Sequence, residues 1–237
     1  MSPIAANLEA LRRRISDALA GERRDVTIVA VSKQKPPEAV RAAFEAGCRD
    51  LGENYVQEAL PKIASLRDLA IAWHYIGHLQ TNKARDVAEH FDWVHGVDRA
   101  KAAAALAKAR PAARGPLNVC LQVNISEEDT KGGVAPADAA TLAREVAAMP
   151  SLKLRGLMGM ASPTREASVQ RSQFRVLKRT FDALVGEGFA LDTLSMGMSD
   201  DLEAAVAEGA TMVRIGTAIF GARKKPGSEP NVVRHVA

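Results

Sequence analysis

Apolar and polar positions along this chain follow two alternating periods. Short apolar runs of strand length recur eight times, and between them apolar residues return every three or four positions, as on one face of a helix. The clearest run is Val26-Thr-Ile-Val-Ala-Val-Ser-Lys33, which Pro36-Pro37 stops shortly afterwards. So short and β-branched a run marks a strand covered on both faces, the kind found in parallel sheets. Further strands are predicted at 48–54, 72–77, 91–97, 117–125, 152–160, 191–198 and 212–220. Helices are predicted at about 37–46, 55–69, 81–90, from 98 onward, and at 136–149, 168–187 and 200–208. An additional helix at about 4–20 is marked by Ile4, Leu8, Leu11, Ile15 and Leu19. Eight strands alternating with helices predict an α/β fold, a single closed (β/α)8 TIM-like barrel with an extra N-terminal helix. An open doubly wound sheet is the alternative, but no Gly-x-Gly-x-x-Gly follows the first strand. No break in composition divides the 237 residues, so one domain is expected over 1–237, with a poorly ordered tail from about 223.

Composition changes this picture little. The chain is 47% hydrophobic and 25% charged, with no apolar run long enough to span a bilayer and no signal-peptide layout at its start, so a cytoplasmic protein is expected. Cys48 and Cys120 read as buried thiols, not as a disulfide framework. The formal charge of +4 comes from clusters such as Arg12-Arg-Arg14 and the run from Arg171 to Arg179. These alternate with apolar residues at helical spacing, and aromatics make up only 4% of the chain. That argues for solvated helix faces and against nucleic-acid binding.

A barrel gathers the carboxyl ends of its strands at one face, and chemistry in this fold is done there. Lys33 ends the first strand; desolvation there would make it a Schiff-base nucleophile, though a lysine snorkelling into solvent fits the same position. After the seventh predicted strand, Ser199 precedes Asp200-Asp-Leu-Glu203, a capping-box spacing that puts its hydroxyl at a helix N-terminus. Gly216-Thr217, on the eighth, offers a bare backbone approach and a hydroxyl. Phosphate sites in barrels are commonly built from these two loops. Capping alone would explain Ser199, and relief of crowding would explain Gly216. Arg214 lies within an apolar strand and needs an acceptor, either a barrel carboxylate or a ligand's ring nitrogen or phosphate. A lysine opposite a phosphate cradle with an arginine between is the layout of a pyridoxal phosphate site. Among other groups, His74 and His78 lack metal-site spacing on a helix, and His90 and His95 are expected to bond locally. Ser126–Gly133 reads as a mobile loop beside the pocket, and the methionines at 158, 160, 196 and 198 as packing in the barrel or near the cofactor ring.

Five segments carry a family resemblance: 30–36 (Ala-Val-Ser-Lys-Gln-Lys-Pro), 52–57 (Gly-Glu-Asn-Tyr-Val-Gln), 73–83 (Trp-His-Tyr-Ile-Gly-His-Leu-Gln-Thr-Asn-Lys), 195–201 (Ser-Met-Gly-Met-Ser-Asp-Asp) and 214–221 (Arg-Ile-Gly-Thr-Ala-Ile-Phe-Gly). Together they resemble the pyridoxal phosphate homeostasis proteins, a family similar in fold to the N-terminal barrel of alanine racemase. The resemblance covers about 4–223. It implies pyridoxal 5′-phosphate as cofactor, a Schiff base at Lys33, phosphate held by Ser199, Gly216 and Thr217, and Arg214 facing the pyridine nitrogen. Asn54 and Met198 would line the pocket, and Lys35 and Lys131 would be accessory lysines. An arginine at the ring nitrogen disfavours its protonation and weakens the ring as an electron sink. The racemases also take a tyrosine from an added β-domain, whereas Tyr55 and Tyr75, the two tyrosines here, belong to barrel segments. The expectation is therefore a monomeric carrier that stores or delivers the cofactor to apoenzymes with little or no turnover. A racemase or lyase acting on amino acids is the alternative.

Overall fold

A computed structural model of the chain describes residues 2–126 and 132–221. Lys131 and the tail from 223 lie outside the described residues, as does most of the loop at 126–133. Helix α1 (Pro3–Leu19) begins where Ser2 Oγ accepts from the Ala5 amide at 3.2 Å, with Pro3 in the first turn. A missing N–H costs nothing there, and the hydroxyl satisfies one of the orphan donors. The stripe Leu8, Leu11 and Ile15 is buried.

Eight parallel strands follow: β1 (Thr27–Val31), β2 (Asp50–Glu53), β3 (Ala72–Tyr75), β4 (Trp93–Val97), β5 (Leu117–Gln122), β6 (Leu152–Met158), β7 (Thr193–Ser195) and β8 (Met212–Ile215). They pair in chain order, and β8 closes on β1 with Val29 opposite Arg214 and Ala30 opposite Ile215. Closure excludes the open sheet and is the (β/α)8 barrel that the pattern predicts. The outer layer is α2 (Pro37–Glu45), α3 (Val56–Ser65), α4 (Ala84–His90), α5 (Ala100–Ala109), α6 (Ala139–Ala147), α7 (Ala167–Gly186), α8 (Leu202–Ala207) and the short α9 (Thr217–Phe220). Among the described residues no helix is long and apolar enough to cross a membrane.

The differences from the predicted elements cluster at the carboxyl mouth. The run 191–198 yields a three-residue strand, and 212–220 divides at Gly216 into β8 and α9, because an apolar turn into a helix reads like the end of a strand. The capping box is also corrected. Asp201, not Ser199, is the N-cap residue of α8, and its carboxylate turns back to accept from the Met198 amide at 2.5 Å. Several basic clusters are neutralised across the helical layer: Arg14 bonds Glu203, and Arg171 and Arg175 both bond Glu208.

Inside the barrel the amino end is plugged by Trp93, over which Arg155 stacks at 4.7 Å while bonding Asp192 at 2.7 Å. Cys48 and Cys120 are buried free thiols, the latter pushed up to about 12 by burial. Met158 and Met196 are buried, whereas Met160 and Met198 reach the mouth.

Candidate functional site at the carboxyl mouth

Lys33 follows β1 in the turn to α2 and is half-buried. Its turn is held from outside the barrel by a buried polar cluster. Lys62 of α3, almost fully buried, donates to the Ser32 carbonyl at 2.8 Å and to Glu53 Oε1 at 2.6 Å. Ser32 Oγ donates to the same carboxylate oxygen at 2.6 Å, and the Gln34 amide donates to Glu58. Burial pushes the Glu53 carboxyl above the usual carboxylate range, and the bonds from Lys62 and Ser32 oppose the rise. Gln34 itself takes a left-handed φ of 58°, unusual for a residue with a side chain. Packing and ion pairing therefore decide where the Lys33 backbone sits. Lys35 points elsewhere, with its Nζ donating to the Phe220 carbonyl at 3.0 Å at the end of α9.

Arg214, the penultimate residue of β8, is buried inside the barrel. One η-nitrogen donates to both the carbonyl and the hydroxyl of Ser195 at 2.7 Å, and the other donates to the Gly159 carbonyl at 3.1 Å. The acceptors are thus neutral oxygens of β7 and of the segment after β6. Burial lowers the guanidinium to about 10, which still leaves it a cation at neutral pH.

Ser199, Gly216 and Thr217 lie in the turns that follow β7 and β8. The first turn is shaped by Gly197, whose φ is +96° and whose carbonyl accepts the Arg214 amide at 2.9 Å. A Cβ there would come within 2.6 Å of the Ala205 Cβ. The second opens on Gly216, next to Val31 of β1, which stands two residues before Lys33. Asn54, after β2, keeps a buried Oδ1 without a protein partner among the described residues. That is an acceptor held in reserve where the pattern predicts a ligand.

A cavity of about 1180 Å³ does not coincide with these residues. It is a groove beside the β7 turn that includes Met198, Ser199 and Arg14 but neither Lys33, Asn54 nor Arg214. The candidate residues lie at the barrel mouth, and the groove adjoins it.

Sequence reasoning missed the groups that hold this constellation. Buried Ser195, His95 and His74 form a file behind Arg214 that ends on the partly exposed Asp50. His95 therefore bonds across the barrel, not locally, while His90 bonds the Asp86 carbonyl of its own helix at 2.9 Å. Strand alternation could have placed His74 and His95 inside the barrel, but no sequence signal pairs them. Lys62 likewise resembles any helix lysine. Among the described residues, no three His, Cys, Asp or Glu side chains are grouped to hold a metal.

Comparison with known proteins converges on one family. The family described as alanine racemase, N-terminal domain, matches residues 3–224. A pyridoxal phosphate homeostasis protein of Pseudomonas aeruginosa is 55% identical over 226 residues, covering 94% of this chain and 97% of that one. The pyridoxal phosphate homeostasis protein of Escherichia coli K12 is 49% identical over 229 residues, covering 94% and 98%. Among solved structures, PipY of Synechococcus elongatus with pyridoxal phosphate bound superposes with a TM-score of 0.81 at 38% identity, covering 92% of this chain and all of that one. An alanine racemase of Clostridium difficile, at 14% identity and a TM-score of 0.69, shares the barrel fold alone. This chain, with its closed barrel and the lysine and arginine at its mouth, belongs to the pyridoxal phosphate homeostasis protein family, within the alanine racemase N-terminal-domain type.

Proposed function

We propose that this protein binds pyridoxal 5′-phosphate as a Schiff base on Lys33 and serves in vitamin B6 homeostasis, storing the cofactor and delivering it to apoenzymes in the cytoplasm. The observation that carries the reading is the pairing of a lysine on a turn braced by Lys62 with a buried cationic arginine on the neighbouring strand, at the one face where a barrel does chemistry. The residues present fit the group. The turns at Ser199 and at Gly216-Thr217 lie together beyond β7 and β8 for the phosphate, and the unpartnered Asn54 oxygen offers an acceptor near the ring. Met198, about two-fifths exposed, would line the entrance.

Bound pyridoxal phosphate supplies an aldehyde and an electron-withdrawing ring, and the residues around it limit how far the ring's acidity can be used. Arg214 is already cationic, so protonating a ring nitrogen beside it would set two positive groups face to face. Tyr75 is committed as well: it is buried, donates to the His78 carbonyl at 3.0 Å, and has its hydroxyl pKa raised by burial. Both features favour a carrier, acting as a monomer, over a racemase or lyase. The test is spectral titration of the purified protein and of Lys33→Ala with pyridoxal phosphate, followed by borohydride reduction and peptide mapping. The expected result is a reduced adduct on Lys33 in the wild type and loss of visible absorbance in the variant. A Lys33→Ala protein with wild-type adduct and spectrum would overturn the assignment. Sustained loss of alanine optical activity, well above that given by free cofactor, would replace the carrier by an enzyme.

A further inference from the structure

Behind Arg214 a file of polar side chains crosses the interior of the barrel. Arg214 Nη1 donates to Ser195 Oγ at 2.7 Å. Ser195 Oγ lies 2.8 Å from His95 Nδ1, and His95 Nε2 lies 2.9 Å from His74 Nδ1. His74 Nε2 lies 3.0 Å from Asp50 Oδ1, at the start of β2. His74, His95 and Ser195 are fully buried, while Asp50 keeps some contact with solvent. So long a buried polar line is costly unless every member is satisfied.

The ends settle which way the protons point. Arg214 can only donate, and an ionised Asp50 can only accept. With Asp50 accepting, His74 carries its proton on Nε2 and receives at Nδ1. His95 then donates from Nε2 and receives at Nδ1, so the Ser195 hydroxyl donates to His95 and accepts from Arg214. Each inner group gives one hydrogen bond to the file and takes one. The opposite sense would require a protonated Asp50, or a charged His74 donating from both nitrogens, and either would aim His95 and Arg214 together at one hydroxyl oxygen. Charging both histidines would also set two N–H donors face to face across the 2.9 Å contact between them. Burial, with His74 and Arg214 adding to it, holds His95 well below its ordinary pKa, in keeping with a neutral ring.

We propose that Asp50, His74, His95 and Ser195 are positioning residues, a one-way hydrogen-bond line that holds the Arg214 guanidinium in place for the ring of a bound pyridoxal ligand. The acid at the amino end of the barrel is thereby linked to the ligand mouth, and it sets the tautomer of both histidines and the direction of the serine hydroxyl. The line explains why β7 carries a serine where a parallel barrel would otherwise bury an aliphatic residue. It also places His74 stacked on Trp93, with ring centroids 5.4 Å apart and an interplanar angle of 9°, which keeps the ring from turning over.

This inference rests on the reading of Arg214 as the partner of the ligand ring, and its first test avoids that reading. Heteronuclear NMR of the ring nitrogens in the protein without cofactor is expected to show His74 and His95 neutral with the proton on Nε2 at neutral pH. A charged His95, or a proton on its Nδ1, would overturn the proposal whether or not pyridoxal phosphate binds. The second test compares Asp50→Asn, Ser195→Ala and Ser195→Thr. Asparagine can face His74 with either its oxygen or its amide, so both tautomers are expected in Asp50→Asn. Ser195→Ala is expected to weaken pyridoxal phosphate binding roughly tenfold and to shift the visible band. Asp50→Asn should move that band in the same direction, and Ser195→Thr, which keeps the hydroxyl, should restore it. Unchanged tautomers in Asp50→Asn, or equal spectra in Ser195→Ala and the wild type, would overturn the line. Failure of the wild type to bind would count against the functional reading alone.

Discussion

Two residues at the mouth show how backbone and burial select side chains. Gly197 combines a φ of +96° with a neighbour that would sit 2.6 Å from any Cβ, so both conformation and space demand glycine there. Gly197→Ala is expected to destabilise by about 1–3 kcal/mol, read as a lower urea midpoint, and to weaken cofactor binding as the Ser199 turn moves. An unchanged midpoint and affinity would mean that the turn relaxes freely. Arg214 illustrates the opposite case, a charge kept inside because its donors meet carbonyl and hydroxyl oxygens. Its lowered pKa reflects burial, and at about 10 it still leaves a cation where the ligand ring is expected.

At the level of elements, the extra helix α1 braces the turn after β7. Arg14 reaches from α1 to Glu203 of α8 with two bonds, at 2.7 and 3.0 Å, and to the Ser199 carbonyl at 3.1 Å. The hydrogen bonds from Arg14 hold the Glu203 carboxyl below its ordinary value of 4.5. A lowered folded-state pKa means that the stabilisation is present above the unfolded value and is lost as pH falls through the folded one. The glutamate is more than half exposed, so the pair contributes no more than about 0.5 kcal/mol. Glu203→Gln is accordingly expected to unfold at slightly lower urea at neutral pH and to match the wild type once the pH falls below the ordinary glutamate range. A gap that persisted in acid would show that the effect is packing and not charge. The α3 cluster of Lys62, Glu53 and Glu58 plays the equivalent part on the lysine side, fixing the turn at Ser32 and Gln34.

For the whole molecule, a ligand held as proposed between the ends of β1, β2, β7 and β8 would stabilise the closed barrel. At a free concentration a hundred times its Kd, pyridoxal phosphate should add about 2.7 kcal/mol. For a chain of this length that raises the Tm by roughly 5–10 °C in calorimetry or a dye-melt assay. Pyridoxine phosphate, which keeps the phosphate and ring but lacks the aldehyde, should give a smaller shift at the same concentration. Equal shifts would mean that the covalent link to Lys33 contributes nothing to binding.

Much of this protein is legible in its order of residues. The eight strands, the helices between them and the N-terminal stripe of Leu8, Leu11 and Ile15 follow from local periodicity, because burial on one face or two imposes its own spacing. Lys33 and Arg214 stand out for a related reason: a charge in an apolar run needs a partner, whatever the fold. Tertiary structure alone decided the rest. Ser195 meets His95 a hundred positions away, and Lys62 reaches back thirty positions to Ser32. Such contacts arise from barrel closure, which brings distant strands to one axis, and nothing in local spacing encodes which buried polar groups will face each other there.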